Sequence, residues 1–326
     1  MINTAKRLNF LESNKDWSEF ISSISQNTGT IYHEQWIENA RANTERVKKY
    51  GWAAEALQEA HKGKTAICLG ASPAITKQID RLRELQNEPD FVFIGISSGL
   101  KYLFENGIKP KYAMICDADP KVSRFWDGMD MAQTKDITLI ANVCVHPSLL
   151  DMWQGDMKFL AVWTTIEDLD KELQKHYAPL NGCGAFFPAL CSQYNTGVAF
   201  AYLVLECPIV IFVGNELSFA TQKTPYYIDR EDVKDSWVRK PHINIFGDTV
   251  YTNYMFMSLK FALEDFLGKL PGWFFNATEA GIFGVSVRYG NLAWIHQLKL
   301  AMAITHARAI MRTGNPLTIA TKTILH

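Results

Sequence analysis

The sequence predicts an α/β fold, a mostly parallel, doubly wound sheet with helical additions at both ends. Two observations predict it. From Lys64 onward, apolar runs of about five residues alternate with helix-spaced segments, the signature of strand–helix–strand units around a parallel sheet. Polar residues then stand at the carboxyl ends of successive runs, the edge at which open α/β sheets bind ligands. At 326 residues the chain can hold one large domain with appendages, or two domains. The expected division is a helical extension over residues 1–60, a central domain over 61–285 and a helical segment over 286–326.

Composition narrows the class. With 48% hydrophobic and 21% charged residues the chain is ordinary globular sequence, and disorder is not expected. A formal net charge of -1 offers no bulk electrostatic reason for a nucleic-acid or membrane-surface partner. Cys68, Cys116, Cys144, Cys183, Cys191 and Cys207 form no C-x-x-C pair and read as buried free thiols. No signal peptide is read at the N-terminus, so the expected compartment is a reducing cytoplasm. The longest apolar stretch, Val198 to Val213, carries Glu206 and Pro208 and falls short of a membrane span.

Taken in order, Trp36, Ala40, Val47, Trp52 and Leu57 have helix-like spacing, a preamble expected to pack and given no chemistry. The first strand, Thr65–Leu69, breaks at Gly70-Ala71-Ser72-Pro73. Gly70 permits a sharp turn and Pro73 presets φ for a first helical turn. Backbone N–H groups are then expected to point out of the turn with a helix dipole behind them, which suits a phosphate. The competing role is a plain helix cap by Ser72.

Strand Phe91–Ile96 precedes Ser97 and Ser98, either of which can cap a helix through Leu100 and Phe104 that stops at Gly107. Strand Tyr112–Cys116 ends in Asp117-Ala118-Asp119-Pro120, and strand Ile137–Ala141 ends in Asn142. The fifth strand is read at Phe159–Trp163. On this pattern Ser72, Ser97, Asp117, Asp119 and Asn142 converge on one crevice. Asn181-Gly182-Cys183-Gly184 reads as a loop over the sheet edge, and Thr196-Gly197 as a second helix N-terminus able to cradle an anion.

The very apolar strand Ile209–Val213 ends in Gly214-Asn215-Glu216. Residues 218–253 are polar and aromatic without clear periodicity, long enough to be a lid or substrate loop. A helix is expected from about Met255 to Leu267, and an amphipathic one from about Trp294 to Ile310, packed on the core or on a second subunit of a homo-oligomer. Between them Trp273, Phe274 and Phe275 read as core, followed by Asn276-Ala277-Thr278-Glu279-Ala280-Gly281. His33, His61, His146, His176, His296 and His306 are expected only to pack or be solvated.

Lys62-Gly63-Lys64 through Pro73, Gly107-Ile108-Lys109-Pro110, Asp117, Thr196-Gly197-Val198-Ala199, Gly214-Asn215-Glu216-Leu217 and the Asn276–Gly281 segment together resemble the motility accessory factor family and its relatives, the 6-hydroxymethylpterin diphosphokinases (MptE-like). No single motif is specific; their order and spacing over about residues 40–285 carry the resemblance. It implies a Rossmann-like, sialyltransferase-like fold and one of two chemistries. One is transfer of a nonulosonic acid from a CMP donor to a protein or glycan acceptor. The other is transfer of diphosphate from ATP with magnesium, held by Asp117 and Asp119. The Asn276–Gly281 segment tilts the choice toward glycosyl transfer, which implies no certain cofactor.

A fainter resemblance to bacterial α/β sialyltransferases makes Gly70, Ala71, Ser72 and Pro73 the phosphate loop, with Thr196 and Gly197 assisting. Ser97, Asp117, Asn142, Glu216, Asn276 and Glu279 are the further nucleotide-binding candidates. Tyr226 or Tyr227 falls where a tyrosine neutralises the leaving nucleotide; its expected companion position is Phe219, which cannot donate a hydrogen bond. Either Asp248 or His242 is the candidate base, since sugar transfer needs charge stabilised on the departing phosphate and a proton taken from the acceptor. A module that binds nucleotide without turnover is the remaining alternative.

Overall fold

Strands β1 (Thr65–Leu69) and β7 (Ile209–Val213) are buried along their whole length, as strands covered on both faces must be. They pair in parallel from Thr65↔Ile209 to Leu69↔Val213. The computed structural model describes residues 32–162, 166–177, 186–187, 190, 192–224, 227–228, 239–286 and 290–314. The architecture is a mostly parallel, Rossmann-like α/β sheet, as the alternation predicts.

Two compact units divide the chain, and the chain passes between them inside strand β2 (Phe91–Ile96). The first holds Gly63–Val92 and the described residues from Cys207 onward; the second holds the described residues up to Lys62 and those in Phe93–Glu206. In the first, β7 pairs in parallel with β1 and with β10 (Trp273–Asn276), and β10 pairs with β13 (His296–Gln297). Trp273, Phe274 and Phe275 are thus a strand as well as core. The expected helix from Trp294 starts later, at Leu300–Thr313, because His296 and Gln297 are taken into the sheet by β10.

In the second unit, β2, β3 (Tyr112–Ile115), β4 (Thr138–Asn142), β5 (Met157–Val162) and the short β6 (Phe186–Phe187) follow one another in parallel. The core under them includes Trp126, Trp153, Phe159 and Tyr177, joined by Ala40, Val47 and Trp52 from the preamble. The preamble is helical over residues 32–42 (α1) and Thr44–Tyr50 (α2). Trp52 meets Tyr177 edge to face, and the Tyr177 hydroxyl donates to the Ala40 carbonyl at 2.7 Å. Apolar burial drives the docking; the buried hydroxyl needed a partner and has one.

The stretch 218–253 is not structureless where it is described. Strands β8 (Lys240–Ile243) and β9 (Thr249–Thr252) form an antiparallel hairpin, and Phe219 bridges to Tyr251. The loop expected at 181–184, Trp163, Cys183, Cys191 and Tyr226 lie outside the described residues. Cys68, Cys116, Cys144 and Cys207 are in no disulfide, and burial pushes Cys144 and Cys207 up to about 12, so both are poor nucleophiles. Among the described residues no helix is long and apolar enough to cross a membrane.

One cluster makes stability pH-dependent. His296 stacks on Trp273 and, with His306, leans on Phe275. Burial lowers both histidine pKa values, and His306 lowers that of His296 further. The folded state therefore favours neutral rings, while the unfolded chain takes up protons below its ordinary histidine pKa, so stability is lost as pH falls. Urea midpoints should drop from about pH 7 to about pH 5, and drop less in His306→Asn. An equal drop in the variant rejects the assignment.

Candidate functional site

Because β1 and β7 run in register to Leu69↔Val213, the turns that follow them emerge side by side. They bond to each other. The Gly70 N–H donates to the Val213 carbonyl (2.8 Å), the Ser72 N–H to the Gly214 carbonyl (3.2 Å), and the Ala74 N–H to Oε1 of Glu216 (2.6 Å). The sequence led us to expect these N–H groups to be free. Instead the end of β7 takes them up, and a carboxylate sits where a phosphate was expected.

Glu216 is buried, and that burial pushes its carboxyl above the usual range; the Ala74 N–H, the adjacent Ser72 hydroxyl and Lys77 act in the opposite direction. Its backbone is as constrained as its side chain. The Ile282 N–H donates to the Glu216 carbonyl at 2.9 Å, and Leu217 is held at φ +52° while its carbonyl accepts from Thr252 Oγ1. A branched residue in the left-handed region is strained, and such strain gathers where a fold presents a functional group.

Asn215 stands in the sequence only within the motif Gly214-Asn215-Glu216-Leu217 and is given no role there, yet its side chain stands out here. It is 3% exposed, and its Nδ2 has no acceptor among the described residues. Its own N–H is held by Thr278 Oγ1 at 3.3 Å. A buried amide donor without an acceptor is costly, so it marks a place where an acceptor-rich group is expected.

The other candidates in the first unit divide clearly. Asn276 donates to the Phe283 carbonyl and to Gln297 Oε1, and accepts from the Thr278 N–H, so its amide is spent inside the fold. Glu279, at φ +55°, accepts from Gln78 (2.8 Å) and from the Leu300 N–H (3.2 Å), capping the final helix. Tyr227 is half-buried, and the next residue, Ile228, donates its N–H to the Ala71 carbonyl at 3.1 Å, which draws this backbone against the Gly70–Pro73 turn.

Phe219 is buried under the Arg239 guanidinium, which lies 3.8 Å from its ring centre and donates to the Thr221 and Thr224 carbonyls. His242 is fully buried on β8, its Nδ1 donating to the Ile243 carbonyl at 2.7 Å. Asp248 is exposed in the hairpin turn, where its N–H donates to Asn244 Oδ1. Glu216 is an ionisable group beside Ser72.

In the second unit Ser97 is buried and donates to Gln193 Oε1 at 2.8 Å, while its carbonyl accepts from Trp126 Nε1. Thr196 and Gly197 are not at a helix N-terminus. The helix begins at Gln193 (Gln193–Leu203), because Ser192 takes the cap by accepting from the Asn195 N–H, and the Thr196 N–H already donates to the Ser192 carbonyl. A Cβ on Gly197 would meet Ile94 at an ordinary 3.6 Å, so the packing of this helix leaves room for a side chain there.

Asp117 is exposed at the end of β3, yet the protein around it pushes its carboxyl up; Asp119 adds to this and Arg124 opposes it. Asp119 Oδ1 accepts from the Lys121 N–H (2.9 Å), and Asn142 Oδ1 from the Cys144 N–H (3.4 Å). No group of three or more His, Cys, Asp or Glu side chains among the described residues could hold a metal ion. Two carboxylates at one strand end suit a magnesium carried mainly by phosphates, with Asp119 partly committed to its own turn.

A family model described as 6-hydroxymethylpterin diphosphokinase MptE-like matches residues 37–222, more than half the chain. The chain belongs to the MptE-like family. This MptE-like chain is also similar in fold to the structure of the MAf glycosyltransferase from Magnetospirillum magneticum AMB-1, with a TM-score of 0.56 over 80% of its length and 17% identity. It spans 38% of that protein. No curated protein matches it.

Proposed function

We propose that this MptE-like protein is a transferase acting on a nucleotide-activated donor, and that the donor is a CMP-linked nonulosonic acid passed to a protein or glycan acceptor. One observation carries the nucleotide part: the buried Asn215 amide, without an acceptor and set between Gly214 and Glu216 at the carboxyl end of β7. A donor phosphate supplies the acceptor oxygens that such a group needs. The sugar part is supported by the family and by the fold likeness to a glycosyltransferase.

The second reading, diphosphate transfer from ATP, is favoured by the description of the family and by the Asp117–Asp119 pair. Calorimetric titration with CMP, CDP, ATP and GTP, each with and without magnesium, separates the two. Tight CMP binding without metal supports glycosyl transfer; ATP or GTP binding that needs magnesium supports the alternative; no binding at all rejects both enzymes. Asn215→Ala should weaken the preferred nucleotide by about tenfold, the worth of a hydrogen bond to a charged group. The same variant should keep its urea midpoint, because the amide donates to no described residue. Unchanged affinity would remove Asn215 from the site.

A further inference from the structure

The preamble, which carries no recognisable chemistry in sequence, is bonded into the loops after β3 and β4. Asn39 and Asn43 lie four residues apart on one helical path, with the Asn43 N–H donating to the Asn39 carbonyl at 2.9 Å. Both are buried, at 5% and 0% exposure. Asn39 Nδ2 reaches two separate loops, donating to the Ala118 carbonyl (3.2 Å) and to the Cys144 carbonyl (3.0 Å). Asn43 Nδ2 reaches only one, donating to the Val143 (2.9 Å) and Val145 (2.7 Å) carbonyls. Gln35 adds a second donor to Ala118 at 3.2 Å.

Ala118 sits between Asp117 and Asp119, and Cys144 follows two residues after Asn142. One amide therefore spans the loops that bear the candidate ligand groups of this unit. We propose that Asn39 is a positioning residue which sets the Asp117 loop against the Asn142 loop, making helix α1 part of the frame of these two loops. Its bearing on donor binding rests on the function proposed above; its effect on the loops does not.

Asn39→Ala and Asn43→Ala each remove a buried amide that donates to two carbonyls, although Ala118 keeps Gln35 and the Asn43 variant also loses a contact from Arg46, so each serves as the other's control for a general loss of stability. Hydrogen exchange is followed at Lys121 and Val122 in the Asp117 loop and at Cys144 and Val145 in the Asn142 loop, all of whose N–H groups bond within those loops. Asn39→Ala should speed exchange in both loops and weaken CMP binding by about tenfold or more, as misplacement of a site does. Asn43→Ala should speed exchange at Cys144 and Val145 alone, with CMP affinity held within about twofold. If Asn39→Ala fails to fold, Asn39→Gln, which moves the same amide along a longer stem, is read in the same way. Unchanged exchange at Lys121 and Val122 overturns the proposal, as does an equal loss of affinity in both variants. A wild-type protein that binds no nucleotide rejects the proposed function, and the exchange pattern then decides the positioning role by itself.

Discussion

Gly281→Ala should unfold the turn that carries Glu216, lowering stability by about 3–5 kcal/mol, a large share of the total for a domain. A Cβ at this position would lie 2.0 Å from the Glu216 carbonyl oxygen and 2.4 Å from its Cα, both backbone atoms that cannot swing aside. The residue also stands at φ +81°, where any Cβ adds about 1–2 kcal/mol of strain. Nor can the turn retreat, since the Ile245 N–H donates to the Gly281 carbonyl and the Ile282 N–H to the Glu216 carbonyl. Gly314 is the control: its φ is +75°, but nothing lies within 4 Å of an added Cβ. Gly314→Ala should cost only the conformational part, about 1–2 kcal/mol. Urea denaturation of the two variants measures both, and equal losses would refute the steric argument.

Lys260→Met should cost about 3–5 kcal/mol, whereas Lys269→Met should cost less than about 1 kcal/mol. The two lysines sit on one helix, Tyr254–Gly268 and its C-terminal cap, and each pairs with an acid four residues away, Lys260 with Glu264 at 2.8 Å and Lys269 with Asp265 at 2.6 Å. Only burial differs. The first pair has side-chain exposures of 1% and 6%, the second 70% and 67%. Removing Lys260 leaves the Glu264 carboxylate buried without its cation, its Oε1 accepting from the Gly284 N–H at 2.7 Å. Replacing both members by apolar residues does not restore full stability, because that N–H then loses its acceptor. Thermal and urea unfolding of the four proteins tests the contrast, and comparable losses for Lys260→Met and Lys269→Met would contradict it.

The strands were legible because burial on both faces writes itself as short apolar runs, and β1, β2 and β7 fall where those runs fall. Neighbours in sequence also announce local turns, as at Gly70-Ala71-Ser72-Pro73. The ends of elements were less legible. Ser192, three residues ahead of Asn195, took the helix cap that Thr196 was expected to border, and β13 claimed the residues expected to open the last helix. Caps and edge strands depend on one or two hydrogen bonds, which leave little periodicity to read.

What the sequence alone determined is the class of fold, the place of strands β1 to β5 and β7 along the chain and the family to which it belongs. What only the tertiary structure decided is which polar groups are spent and which are left to act. Asn276 and Glu279 look like ligand residues in sequence and are consumed by Gln297, Gln78 and the last helix; Asn215, read only as part of a motif, keeps a buried amide donor without an acceptor among the described residues, and Asn39, in a preamble given no chemistry, bonds to two loops of its unit. The physical reason is separation along the chain. Ala74 and Glu216 lie 142 residues apart and Asn39 and Cys144 lie 105 apart, so their bonds exist only because sheet pairing and core burial bring distant turns together.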